Sequence, residues 1–144
     1  MRRNWTGLVC VLVISVAGLQ PQTAEADGLL PRNPAIEDTI QSQLNAFLTD
    51  DFTTAFTYAS PSVQGYFGNS DRFGWMVRNG YPMVWRPSEV EYQELGLYEG
   101  AFLQKVEIVD SEGRRHVLVY QMIEGPMSWR INGVTLLPSN DVDA

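Results

Sequence analysis

AFLQKVEIVDSEGRRHVLVYQMI, residues 101–123, reads as two strands joined by a tight turn. Phe102, Gln104, Val106 and Ile108 share one parity, the period of two expected of a strand with one face buried. Asp110-Ser111-Glu112-Gly113 supplies turn residues, and His116 to Ile123 returns as the second strand. The returning strand is apolar on both parities, Val117/Val119/Ile123 and Leu118/Tyr120/Met122, which a strand with one face in water would not be. Its second face is therefore expected to form a homodimer interface through the sheet.

Further along, Glu124-Gly125-Pro126 turns the chain, and a last strand from Met127 to Leu137 sets Trp129 and Ile131 against Ser128, Arg130 and Asn132. Before residue 101, Glu99-Gly100 makes a turn. The strand leading into it carries Val90 and Tyr92 on one parity and Leu95 and Leu97 on the other, a flip that predicts a bulge near Gln93-Glu94.

Upstream of Gly80 the period becomes helical. Asn33-Pro34 is a cap followed by proline at the first helical position, and Ile36, Ile40, Leu44, Phe47 and Leu48 step by three or four. Asp50 or Asp51 is expected to cap a second helix with Phe52, Ala55, Phe56 and Ala59 on its apolar face. Ser60-Pro61 restarts a third that ends at Gly68, and Ser70 is expected to cap a fourth carrying Phe73, Met76 and Val77. Asn79-Gly80 stops it, and Tyr81-Pro82 predicts an extended exit. Helices first and hairpin-linked strands afterwards make an α+β domain, its helices packed on one face of an antiparallel sheet.

Residues 1–26 read as a secretory signal: Arg2 and Arg3 precede an uncharged segment from Leu8 to Leu19, then Pro21 and the small-x-small triplet Ala24-Glu25-Ala26. Cleavage is expected between Ala26 and Asp27, with no stable membrane anchor afterwards, because the uncharged run is shorter than the ~20 residues of a membrane span. The protein is thus expected to be periplasmic or secreted, as a single domain over 27–144 with a frayed tail at 139–144. Cys10, the only cysteine, lies in the signal, so neither a disulfide nor a cysteine-ligated metal is expected.

The formal net charge of −7 becomes −8 once Arg2, Arg3 and Glu25 are removed. Phosphate contacts need clustered Lys and Arg, so nucleic acid is not an expected partner. His116 is the only histidine, at the start of a strand beside Arg114-Arg115, and no serine sits in a nucleophile-elbow pattern. Glu37-Asp38 and Asp50-Asp51 are adjacent pairs that point apart on a helix and suit capping and solvation. No catalytic residue, metal site or cofactor is expected.

Gln104 is the sharpest polar anomaly, an amide in the apolar row of Phe102, Val106 and Ile108 that must find a partner or a ligand. Arg78 and Tyr81, at the helix-to-sheet junction, and Trp129 could complete a site for a small anionic or aromatic molecule. The structural alternative has Gln104 bonding a loop, Arg78 tying down the helix end and the tryptophans filling the core.

Three stretches carry a likeness: Ala55-Phe56 through Ala59-Ser60-Pro61 to Gln64 and Phe67-Gly68; Met76-Val77-Arg78-Asn79-Gly80-Tyr81-Pro82 with Phe73 and Arg86-Pro87; and Trp129-Arg130-Ile131 with Gly133. Together they resemble domain-of-unknown-function family 4864, exported bacterial proteins that look like a branch of the nuclear transport factor 2-like folds, to which ketosteroid isomerase belongs. Met83 departs from the likeness, standing where the family tends to have a second proline. The resemblance implies a cone, with helices closing a curved sheet around a pocket, and it implies no activity. The expected role is a non-catalytic module that binds a small ligand or another protein. The alternative is a small-molecule enzyme, isomerase- or hydratase-like, using the pocket.

Overall fold

A computed structural model describes residues 27–139. The expected signal segment, its cleavage junction and the tail from residue 140 lie outside the described residues.

The element order is β1 (Gly28–Leu30), α1 (Pro34–Leu48), α2 (Phe52–Thr57), α3 (Pro61–Phe67), α4 (Ser70–Gly80), α5 (Pro82–Trp85), β2 (Pro87–Tyr98), β3 (Ala101–Asp110), β4 (Arg115–Glu124) and β5 (Trp129–Leu136). The strands form one five-stranded antiparallel sheet in sequence order. The class is therefore α+β, as the change of period at residue 80 predicts. Among the described residues, no helix is long and apolar enough to cross a membrane.

The helix starts follow from their caps. Asn33 accepts from the backbone N–H groups of Ala35 and Ile36, and Pro34 stands in the first turn, where its missing N–H costs nothing. Asp51, rather than Asp50, caps α2 through the Thr54 N–H. Asp50 sits at φ 55° and binds the Trp85 indole and the Arg86 guanidinium instead. Ser60 caps α3 as expected.

Three local expectations are corrected. Asn69, not Ser70, caps α4, because its amide oxygen reaches the Arg72 N–H at 2.9 Å while Ser70 is already helical. Tyr81 is indeed non-helical (ψ 57°), but Pro82 does not begin an extended exit; it opens the short α5, where a fixed φ favours a first turn. Ala59 does not continue α2. Instead it pairs with Ile131 in an isolated parallel bridge, with Ile131 N donating to Tyr58 O and Ser60 N to Ile131 O, both at 2.8 Å.

The core lies between the helices and one face of the sheet. Ile36, Ile40, Leu44 and Phe47 of α1 are fully buried and meet Val106, Ile108, Leu118, Tyr120 and Met122 from that face. Each fully buried aliphatic or aromatic side chain there stabilises the fold by about 1.5–3 kcal/mol relative to exposure. The parity flip in β2 is real: the register slips between Tyr92 and Leu95, returning Leu95 and Leu97 to the buried face after an extra residue. A second slip, between Gln121 and Met122, accommodates Asn132 of β5. Met83 of α5 is buried in the core.

Arg86 ties this end of the molecule together. Its guanidinium stacks on Trp85 at 4.2 Å, donates to the Phe47 carbonyl at the end of α1 at 2.8 Å, and pairs with Asp50.

A cavity beneath helix three

Between the helices and strands β4 and β5 lies a cavity of about 370 Å³. That is toward the small end of the range for ligand pockets, roughly 300–1,000 Å³. Its floor is Tyr120 of β4 with Ile131 and Val134 of β5; α1 contributes Gln43 and Phe47, and α4 contributes Phe73, Met76 and Val77. Val63, Tyr66 and Phe67 of α3 form its roof.

The wall is built around Phe73, whose ring lies 5.2–5.8 Å from those of Phe47, Phe56 and Phe67. The roof is held chiefly at its start. Ser60 Oγ donates to Asn132 Oδ1 at 2.7 Å while accepting from the Val63 N–H, and Gln64 Nε2 donates to the carbonyls of Phe56 and Ala59. Helix α3 buries none of its own residues fully, and Tyr66 is 83% exposed. The chain leaves α3 through Gly68 at φ 83°, a left-handed conformation that glycine adopts without steric cost.

Besides the largely exposed Tyr66, three residues with polar side chains line this space. Gln43 Nε2 is occupied by the Ala55 carbonyl at 3.1 Å, and the Tyr81 hydroxyl donates to the Val134 carbonyl at a long 3.4 Å. The Tyr120 hydroxyl is fully buried and has no hydrogen-bond partner in the protein. Burial pushes its phenol well above the usual tyrosine range, and the nearby phenols of Tyr92 and Tyr81 add to that shift. It is therefore a neutral group, able to donate one hydrogen bond and accept others. Among the described residues, no charged side chain lines the cavity.

Of the four candidate residues from the sequence, only Tyr81 lies in this wall. Gln104 is 1% exposed but sits under the β2 bulge, where its Nε2 donates to the carbonyls of Gln93 at 3.0 Å and Lys105 at 2.9 Å. Arg78 lies over the Phe52 ring at 5.1 Å. Trp129 packs edge-on against Phe102 at 5.1 Å and borders a separate hollow beside the Gly125–Ser128 turn. The structure therefore does not bring the four together.

Tyr120 does not stand out in the sequence, because by periodicity a tyrosine between Leu118 and Met122 counts as apolar. Like Gln104, Tyr120 sets a polar atom in an apolar row, and its hydroxyl is the signal that marks it.

His116 is half-buried at the β3–β4 turn, where its Nε2 lies 2.8 Å from Asp110 Oδ2. Asp110 also accepts from the backbone N–H groups of Glu112 and Arg114 and from Arg114 Nε. These bonds, His116 foremost, hold its carboxyl well below the ordinary aspartate range. Neither His116 nor Asp110 borders the cavity. Among the described residues, no three His, Cys, Asp or Glu side chains converge as a metal site would require.

The family model described as domain of unknown function (DUF4864) matches residues 30–144. No curated protein matches the chain.

Proposed function

The chain belongs to the DUF4864 family, and from that premise we propose that it is a non-catalytic module binding one small, neutral, largely aromatic molecule in the cavity beneath α3. One observation carries this reading: Tyr120, whose hydroxyl is fully buried and without a protein partner, lies in the floor of that space. An unsatisfied buried hydroxyl costs about 1–3 kcal/mol, a penalty that a ligand oxygen would remove. The uncharged lining turns the choice between an anionic and an aromatic ligand toward the aromatic one, since a desolvated anion would find no cation there. The volume supports a ligand of about two fused rings, because a cavity of ~150 Å³ already accepts benzene.

Ketosteroid-isomerase-like chemistry would need a base beside the ligand. The described lining holds phenols and one amide but no carboxylate or imidazole, which favours binding over turnover. We place this activity outside the cytoplasm, in the periplasm or the medium, on the strength of the basic, apolar and small-x-small pattern of residues 2–26.

The test compares naphthalene with 2-acetylnaphthalene on the wild type and on Tyr120→Phe, by titration calorimetry. The expected result is that the acetyl compound binds the wild type about tenfold more tightly than naphthalene, and that the difference vanishes in the variant. Binding of neither compound, or an equal preference in both proteins, overturns the reading.

A further inference from the structure

The edge of the sheet beside β2 is only partly closed. Strand β2 has twelve residues, whereas β1, its neighbour on that side, has three and pairs with Leu95, Gly96 and Leu97 alone. Residues 88–92 therefore have β3 on one side and no strand on the other. Among the described residues, no further backbone hydrogen bond closes this stretch. An edge strand of this kind presents unpaired N–H and C=O groups, a template for another extended chain.

The register with β3 sorts its side chains. Val90 and Tyr92 stand opposite Ile108 and Val106, on the buried face, and both pack against the core while remaining half-buried. Glu89 and Glu91 stand opposite Val109 and Glu107, on the face turned away from the helices. Both glutamates are exposed, and neither forms an ion pair among the described residues.

We propose that the β2 edge at residues 89–92 docks an extended basic segment of another protein, which adds to the sheet as a further strand with Lys or Arg at alternate positions and apolar residues between them. Side chains on neighbouring strands share a face when they stand opposite each other. A cation beside Glu89 and another beside Glu91 would then pair on the outer face, and the apolar residue between them would cover Val90 on the inner one. Backbone bonds supply the affinity of such strand addition, and the alternating side chains supply its specificity. The site lies apart from the cavity, none of whose lining residues belongs to β2.

Charge selects the occupant. A second copy is disfavoured, because β2 set antiparallel against itself brings its glutamates against each other. The formal net charge of −7 repels acidic partners and draws basic ones. Register slips between Pro87 and Glu89 and between Tyr92 and Leu95 bracket the regular stretch, so the docked strand is limited to the length of residues 89–92. Outward charges also guard an edge against aggregation. Guarding needs charge alone, whereas docking needs backbone pairing, and the experiment separates the two.

The protein made from the full chain is titrated at low ionic strength with the capped peptide Thr-Lys-Val-Lys-Val-Lys-Thr, followed by amide chemical shifts and hydrogen exchange. A second peptide, N-methylated at every lysine and valine, keeps the charges but cannot donate backbone hydrogen bonds. The wild type is expected to bind the first peptide saturably, with shifts and slowed exchange centred on residues 88–92, and the methylated one at least about tenfold more weakly. The double variant Glu89→Lys/Glu91→Lys, checked for an unchanged melting temperature, is expected to bind the lysine peptide about tenfold or more weakly and to gain binding of Thr-Glu-Val-Glu-Val-Glu-Thr. No saturable binding to the wild type, equal binding of the methylated peptide, shifts centred elsewhere, or a double variant that binds as the wild type does would each overturn the proposal.

Discussion

Gln104 of β3 and Tyr120 of β4 stand directly opposite each other on the buried face of the sheet, and each keeps one buried polar atom without a partner, Oε1 in the first and the hydroxyl in the second. Their surroundings separate them. Gln104 uses its amide nitrogen to hold the backbone of the β2 bulge, so its place is accounted for by the strand it braces. Tyr120 makes no side-chain hydrogen bond and borders the cavity. One is read as architecture and the other as a site.

Gln104→Leu should therefore loosen the bulge and leave ligand binding alone. The variant strips the Gln93 and Lys105 carbonyls of a donor, while also removing the orphan Oε1. The net cost is expected at about 1–2 kcal/mol in urea unfolding. Retained stability together with lost binding of 2-acetylnaphthalene would return Gln104 to the site.

Ser60→Ala tests the tether of the roof. Ser60 is fully buried and its hydroxyl serves two partners, Asn132 and the Val63 N–H. Loss of the cap alone costs about 0.5–2 kcal/mol, and the orphaned Asn132 oxygen adds to it. Hydrogen exchange should rise in α3 before it rises in α1, whose apolar face is deeply buried. A uniform rise would show that α3 is not held separately.

Arg86→Lys is not a conservative change here. One ammonium cannot stack on Trp85 and also reach both the Phe47 carbonyl and Asp50 in the manner of the planar guanidinium. The Asp50 pair is exposed and adds little. The expected loss, about 1 kcal/mol, comes mainly from the bond to the end of α1. An unchanged melting temperature would contradict this account.

The Asp110 turn predicts an acid-side dependence. His116, Arg114 and two backbone N–H groups hold the folded carboxylate below its unfolded pKa, so the folded state binds the proton less tightly than the unfolded one. Its stabilisation is complete above the unfolded value, about 4, and is lost as the pH falls toward the folded value. Asp110→Asn should be less stable than the wild type at neutral pH, with the difference shrinking steadily below pH ~4. A difference that grows in acid would show that the aspartate is not the responsible group.

Most of the architecture was legible along the chain because it depends on local chemistry. The caps at Asn33, Asp51 and Ser60, the prolines that open α1 and α3, and the alternation in β3 and β4 act within a few residues of themselves. Even the β2 bulge left its mark, since an inserted residue reverses which parity is apolar. Where several local signals competed, pattern alone chose wrongly: Ser70 lost the cap to its neighbour Asn69, and Tyr81-Pro82 suited the first turn of a helix as well as an extended exit. The strand β1 carries only three residues and takes its identity from Leu95, Gly96 and Leu97 across from it.

The sequence by itself determined the class of the domain, the order of α1 to α4 and of β2 to β5 and the faces these elements bury, because hydrophobic period and capping are properties of neighbouring residues. The tertiary structure alone decided where polar atoms end up. It set Gln104 beneath a bulge, Arg78 over Phe52 and Trp129 against Phe102, and it left Tyr120, whose hydroxyl has no partner, beside a cavity that six separate elements line. Whether a buried hydroxyl is satisfied depends on atoms brought from distant parts of the chain, and no spacing along one strand records them.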